Sequence, residues 1–428
     1  MKKTTISVMC GLLAPMILFW TMLPSRATAT GFDLPDQDAF VIGRGMAFVA
    51  TADNPSAIYY NPAGLTQLKG NTLRAGIYGL YLAPGYESPG GTSYENENNW
   101  HALPQVYYAG HAEKVPLGYG IGFFAPFGLS SKWPQDTGFR TVATEGSLKY
   151  FTINPAGAYE VLPNLSLGAG VTFNYAKADL RQGLVWPAQP FDEFKFEGDG
   201  WDVGYNLGLL WKAHEKVFIG ISFRSSTSVD MKGNTTAQNS VPFPPDSPAV
   251  PPFAVTQDAR AEFPCPLKAI FGISYRPTPQ WNLEFNADYT DWTQLGTIMV
   301  KQAGPIPGIL PQNVPLVLNW QASWYYEFGV TRYLANGWTV SAGYIYNENS
   351  VPDATYTPLV ADLDRHFLSL GVGHRGERFD FDVAYQFGYG PDHRVSGSAN
   401  SMAGYPSPAD GEYDFISHAL AVSVSWHF

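Results

Sequence analysis

Beyond Leu68, apolar and polar residues alternate along most of the chain. In Trp281–Tyr289, Trp281, Leu283, Phe285, Ala287 and Tyr289 share one face, while Asn282, Glu284, Asn286 and Asp288 share the other. Phe379–Phe387 repeats the pattern, with Asp380, Asp382, Ala384, Gln386 and Gly388 opposite the aromatic and aliphatic side. Leu165–Tyr175 and Trp201–Trp211 do the same. A period of two with one wholly apolar side predicts strands with one greasy and one polar face. Candidate strands fall at 70–83, 101–113, 117–127, 145–160, 164–181, 198–212, 216–232, 256–276, 280–290, 317–333, 337–348, 361–375, 378–390 and 412–428.

A soluble sandwich also alternates, but two features favour a membrane barrel. Aromatic residues sit at the ends of the greasy faces (Trp201 and Trp211, Trp281 and Tyr289, Trp338 and Tyr346), as girdles at two membrane interfaces require. Connections also alternate between tight turns, such as Leu162-Pro163 and Ala335-Asn336-Gly337, and long loops, including 182–197, 233–255 and 291–316. Short periplasmic turns, long outer loops and an even strand number belong together. The expected fold is therefore an all-β transmembrane antiparallel β-barrel of about 14 strands. Its first and last strands must meet, because an open edge would leave a row of peptide groups unpaired in hydrocarbon.

The alternation fails over Gly31–Leu68, which is rich in small residues and mixed in polarity. Residues 30–69 are expected to form an N-terminal hatch, or plug, inside the lumen of a barrel spanning 70–428. Residues 1–29 read as a signal peptide: Lys2 and Lys3, an apolar stretch from Val8 to Leu23 broken by Pro15, and an Ala27-Thr28-Ala29 cleavage site. No later window offers the run of ~18 apolar residues that a membrane helix needs.

Composition sharpens this picture. Aromatics, at 15%, equal the charged residues in frequency. The net charge of −11 becomes more negative once Lys2, Lys3 and Arg26 are removed with the leader, which excludes the basic face of a nucleic-acid binder. The mature chain keeps one cysteine, Cys265, so it has no intramolecular disulfide. No catalytic, metal or cofactor motif stands out, and no enzyme activity is expected. The inward carboxylates Glu284, Asp288, Asp380 and Asp382 read as residues facing a solvated lumen.

The third strand is different. Gly118-Tyr-Gly-Ile-Gly-Phe-Phe-Ala-Pro-Phe-Gly128 carries glycines at alternate positions and then Pro126. Proline cannot donate to a ladder, and glycine admits bends. Gly120, Gly122, Pro126 and Gly128 are therefore candidates for a kink that opens the wall sideways, and a strand end above the membrane is the competing reading. Phe123, Phe124, Phe127 and Leu129 would line such a gap and touch a hydrophobic ligand.

The chain resembles the long-chain fatty-acid transporter (FadL) family of outer-membrane channels, which includes aromatic-hydrocarbon uptake members. The resemblance is carried by Asn61-Pro62-Ala63, Ala125-Pro126-Phe127-Gly128-Leu129, Gly157-Ala158-Tyr159, Tyr289-Thr290-Asp291-Trp292, Leu318-Asn319-Trp320, Ser350-Val351-Pro352-Asp353 and Asp364-Arg365-His366-Phe367. It implies a hatch marked by Asn61, Pro62 and Ala63, a bent third strand giving a lateral exit, and diffusive uptake of a fatty acid or hydrocarbon captured at the outer loops. Arg224 and Arg365 point inward by strand parity and are candidate partners for a ligand carboxylate, with pairing to inward Asp or Glu as the competing reading. Expected partners are the hydrophobic ligand, outer-membrane lipid and lipopolysaccharide, and the barrel-assembly machinery through the terminal Phe428; the barrel is expected to be a monomer. The alternatives are a general hydrophilic porin, which would need no plug, and a surface-binding outer-membrane protein.

Overall fold

The computed structural model describes residues 31–184, 192–240, 242, 251–398 and 409–428. The expected leader and most of the Pro-rich segment 241–253 lie outside the described residues. Fourteen antiparallel strands make the wall. They are β1 (Asn71–Glu87), β2 (Trp100–His111), β3 (Leu117–Phe124 continued by Gly128–Lys132), β4 (Glu145–Leu162), β5 (Leu165–Gln182), β6 (Glu193–His214) and β7 (Val217–Arg224 continued by Thr227–Asn239). Around the other half run β8 (Phe253–Cys265 continued by Lys268–Tyr275), β9 (Trp281–Thr290), β10 (Ser323–Tyr333), β11 (Trp338–Asn347), β12 (Arg365–Arg375), β13 (Phe379–Val395) and β14 (Gly411–His427). β1 pairs with β2 on one side and β14 on the other, so the sheet closes on itself. Closure supplies every wall strand with two neighbours, the condition for crossing hydrocarbon.

The predicted alternation is the outer surface. Leu420, Val422, Val424 and Trp426 of β14 are exposed, while Ala421, Ser423 and Ser425 are buried. Several boundaries differ from expectation. The stretch 233–255 is not a free loop, because β7 and β8 continue as a paired hairpin from Gly233 to Asn239 and from Phe253 onwards. The stretch 291–316 carries its own hairpin, with residues 297–302 paired to 313–317. β10 starts at Ser323 rather than 317, since Leu318-Asn319-Trp320 turns inward, with Asn319 in the left-handed region (φ 48°). β12 starts at Arg365 rather than 361. Beyond the bilayer the strands have no lipid side, so the binary pattern that marks them in the membrane fades there.

Residues 31–68 lie inside the wall. Two short helices, α1 (Ala39–Ile42) and α2 (Ala57–Tyr60), are buried, as are Pro62–Leu65 of a 3-10 turn, Pro62–Gln67, while Asp53 in the segment joining the helices is exposed. Asp38 starts α1 by accepting from Phe40 N, which satisfies a donor that the helix itself leaves free. The glycine-rich inner faces of the wall make room for this insert. A Cβ at Gly208 would lie 2.8 Å from Ala63 N, and one at Gly118 would overlap the Leu65 carbonyl.

The insert corrects the reading of the inward carboxylates. They do not face a solvated lumen. Glu284 holds Arg44 at 3.3 Å and accepts from Ala50 N at 2.7 Å. Asp382 and Asp38 share Arg74, at 2.8 and 2.5 Å. Asp288 and Asp33 share Lys268, at 3.0 and 2.6 Å. Asp380 meets the His427 ring at 3.0 Å near the periplasmic rim. Buried charges without partners are costly, so the first three of these sets specify where the inserted segment sits as much as they strengthen it, whereas Asp380 and His427 join two strands of the wall.

Candidate functional site

The third wall strand is broken where Pro126 falls. Its first half, Leu117–Phe124, is regular and pairs with both neighbours: Val106–His111 of β2 and Thr152–Tyr159 of β4. Gly120 and Gly122 therefore do not bend the chain. Gly120 faces Ile58 of the inserted segment, and Gly122 faces the Tyr107 ring. The break is confined to Ala125-Pro126-Phe127. Phe124 stands opposite Thr152 and Gly128 opposite Lys149, so three residues of β3 span two of β4. This is a bulge with a proline in it. On the other side, no ladder among the described residues joins Gly128–Lys132 to Trp100–Gln105 of β2. The gap is bridged at its outer end, where Glu97 N donates to Lys132 O at 2.7 Å and Asn96 Nδ2 to Ser131 Oγ at 2.8 Å.

Peptide groups freed by the break find partners in the inserted segment. Leu34 N donates to Pro126 O at 2.9 Å, and Gly128 N donates to Phe32 O at 3.0 Å. Gln37 brackets Ala125 with its side-chain amide: Nε2 donates to Ala125 O at 2.7 Å, and Oε1 accepts from Ala125 N at 3.3 Å. The inserted segment replaces β2 as the hydrogen-bonding partner of the broken strand, as burial of backbone polar groups demands.

Above the inserted segment lies a cavity of about 150 Å³, and the broken strand forms part of its wall. Leu34, Leu80, Leu82, Ile345, Leu359 and Phe367 are among its apolar lining residues, with Gly128 and Leu129 on the side of the break. The four hydrophobic candidates do not share one surface. Leu129 lines the cavity, while Phe127 packs in the loop core, 5.8 Å from Phe32 and 5.2 Å from Tyr150. Phe124 points inward onto Tyr59 at 5.0 Å. Phe123 points outward, stacked on Phe151 at 5.7 Å, in an apolar cleft of the outer wall shared with Phe173, Tyr175 and Trp201. Asn61 donates to Val49 O and to Leu209 O of β6, at 2.8 and 3.0 Å, and its Oδ1 accepts from Ala63 N. The Asn61-Pro62-Ala63 turn is thus clamped to the wall well away from the cavity.

Comparison with known proteins accounts for this assembly. Residues 20–428 match the sequence profile of the outer membrane protein transport protein family (OMPP1/FadL/TodX). The chain belongs to this family. A long-chain fatty acid transport protein of Escherichia coli K12 is 22% identical over 94% of each chain, and a 47 kDa outer membrane protein of Pasteurella multocida is 27% identical over 83% of this chain and 86% of its own. A Pseudomonas aeruginosa FadL homologue superposes with a TM-score of 0.80 at 18% identity, covering 93% of this chain and all of its own. The P. putida toluene transporter TodX gives 0.70 at 16% identity over 92% and 99%. This FadL-family chain is a multi-pass β-barrel of the bacterial outer membrane, and the segment within it lies where the plug, or hatch, was expected.

Of the two candidate cations in this FadL-family barrel, Arg365 lines the cavity and Arg224 does not. Arg365 sits 3.5 Å from Asp362, donates to Ala361 O at 3.1 Å, and lies over the Phe415 ring at 4.2 Å. Arg224 donates to Tyr59 O at 3.2 Å, with its guanidinium 4.7 Å from the Tyr59 ring and 5.6 Å from Phe124. Sequence reasoning missed Asp36, which lines the cavity from the hatch. Nothing in the pattern Pro35-Asp36-Gln37 sets it apart from a loop acid. Burial pushes its carboxyl up to about 7, with the Asp33 charge adding to the rise and the Gln386 amide opposing it. In the loop before β12, burial pushes Asp362 up to about 6 against the pull of Arg365. Asp362 accepts from Gly31 N at 2.9 Å and Ser350 Oγ at 3.0 Å, which ties the start of the hatch to the outer loops.

These values carry a sign. A carboxyl whose folded value lies above its unfolded value of about 3.9 favours the folded state most at low pH. For Asp36 that advantage is lost as pH rises from about 4 to about 7. Asp36→Asn is therefore expected to raise thermal stability at pH 8 and to leave it nearly unchanged at pH 4.5. The temperature at which the unboiled protein changes gel mobility, taken for both proteins at both pH values, checks this. An equal gain at both pH values contradicts it.

Proposed function

We propose that the chain is a passive uptake channel for hydrophobic small molecules, fatty acids or hydrocarbons. They are captured among the outer loops, lodge in the cavity above the hatch, and leave sideways into the membrane through the break in β3. The observation that carries this reading is the combination at Ala125-Pro126-Phe127: a wall strand that parts from β2, hatch residues covering the opening, and an apolar cavity directly behind it. A ligand gains ~25 cal/mol for each Å² of apolar surface it buries in such a cavity. Exit into lipid returns it to a similar medium, so no energy source is needed. A dry apolar cavity of about 150 Å³ is large enough to take up benzene. In the conformation described, then, the site suits one aromatic ring or a short chain, and a long acyl chain would require the lining loops to move apart.

A general hydrophilic porin is the weaker reading. The hatch fills the bore, and the inward polar residues are spent on holding it. Cells lacking their own uptake channel, complemented with this gene, should take up toluene or oleate faster than cells carrying an empty vector. Uptake of a hydrophilic sugar should not rise. The reverse pattern, sugar entering and neither hydrophobic compound gaining, overturns the proposal.

A further inference from the structure

The charged groups around the cavity are unevenly matched. Lys268 is shared between Asp33 and Asp288, and Arg365 is engaged by Asp362. Asp36 differs from both acids of the first set. Its side chain accepts from a neutral amide, Gln386 Nε2, at 3.2 Å, and among the described residues no ion pair includes it. Gln386 is itself held in place, since Tyr78 OH donates to its Oε1 at 3.1 Å, which leaves Nε2 to face Asp36. Asp36 is half-buried, and its open side is the cavity. The ionisable groups facing it are Asp33 and Tyr78, with Lys268 behind Asp33 and Arg365 across the cavity wall. Among the described residues that line it, the chamber therefore has one acid outside any ion pair and no cation outside one.

We propose that Asp36, oriented by Gln386, selects the head group of the cargo: it accepts a hydrogen bond from a neutral donor, such as a hydroxyl, and turns away carboxylate anions. This rests on the uptake reading above and narrows its substrate class to hydrophobic molecules that are uncharged when they lodge in the cavity. A hydroxyl reaching Asp36 replaces a bond it loses on leaving water, and a charged acceptor makes that bond strong. A carboxylate brings a second negative charge into a weakly screened site, where like charges repel far more than in water. Arg365 cannot offset this without giving up Asp362, whose charge would then be buried unpaired.

Three probes on one carbon skeleton test the idea: ethylbenzene, 2-phenylethanol and phenylacetate. Each is titrated at pH 8 into the purified full chain in a non-ionic detergent, with protein-free micelles as the blank. The wild type should bind 2-phenylethanol at least about tenfold more tightly than phenylacetate, and Asp36→Asn should tighten phenylacetate by about tenfold while moving ethylbenzene less than about twofold. Equal binding of the alcohol and the acid by the wild type overturns the proposal, whatever the variant does. So does an Asp36→Asn protein, shown folded by its unboiled gel mobility, that keeps the wild-type ratio. If ethylbenzene itself fails to bind, the cavity is not a hydrophobic ligand site. The uptake reading then falls, and the head-group proposal falls with it. If ethylbenzene binds and only the discrimination is missing, the head-group proposal falls alone.

Discussion

Deletion of Pro126 is expected to reduce uptake of a hydrophobic cargo by about tenfold or more while leaving the barrel folded. Three residues of β3, Ala125-Pro126-Phe127, now stand against two of β4, between the Phe124–Thr152 and Gly128–Lys149 pairs. Removing one residue restores one-to-one pairing. It also keeps the sidedness already present: Phe124 and Phe127 remain inward, and Gly128 stays opposite the outward Lys149. The removed residue is the one that has no N–H to give. A straight β3 could then extend its ladder with β2 beyond Val106, toward Gln105 and Leu103, and close the gap. The peptide groups now satisfied by Leu34, Phe32 and Gln37 would pair with the wall instead. Uptake by cells, normalised to the amount of heat-modifiable protein in the outer membrane, reads the effect. Undiminished uptake with a correctly folded barrel removes the sideways exit from the mechanism, while the family assignment and the barrel itself stand.

Much of this was legible from residue order alone, because a bilayer imposes a rule that sequence records directly. Every second residue of a spanning strand must be apolar, and Trp281–Tyr289, Leu165–Tyr175 and the last strand up to Phe428 obey it. The place of an irregularity at Pro126 was legible, since proline cannot donate to a ladder, but residue order left open whether the strand bends there or ends. Much of what the sequence left hidden lies inside the barrel. There the hatch converts a polar inner face from a solvated surface into a packed one, and Glu284, Asp288 and Asp382 look the same in both situations. Only their partners, Arg44, Lys268 and Arg74, reveal the difference, and Arg44 lies 240 residues from Glu284 along the chain. Gly120 and Gly122 show the same ambiguity. A glycine needed for a bend and a glycine needed so that Ile58 or Tyr107 can approach have identical sequence signatures. Asp36 was invisible because its distinction is the absence of a cation, which depends on how β12, β13 and the hatch converge.

Removing the hatch should turn the protein into an ion-conducting pore. The wall depends little on it: the spanning strands of β4–β6 and β9–β14 are hydrogen-bonded on both sides, and the outer apolar face is unchanged. The inner face would be left with Asn154, Asn206, Asn282, Asn286 and Glu284, none of which can pack against one another as a dry core, so water should fill the space. Arg74, Arg224, Lys268, Arg276 and Arg375 would lose hatch partners or gain solvent, alongside Glu284, Asp288, Glu327, Asp382 and Asp202. The two sets are equal in number, and little selectivity between cations and anions follows. Planar-bilayer recordings of a protein lacking residues 32–68 should show conductance at least about tenfold above the intact chain at equal salt, since an unplugged lumen at this strand number is wide enough for water. A second construction separates loss of the hatch from damage to the wall. Gly343 approaches Gly45 so closely that a Cβ there would overlap the Gly45 backbone. Gly343→Val should therefore unseat the hatch without shortening the chain, and should conduct as well. Silence from both, in barrels that still show the folded gel mobility, would mean that the lumen closes by itself and that the hatch is a passenger rather than the plug.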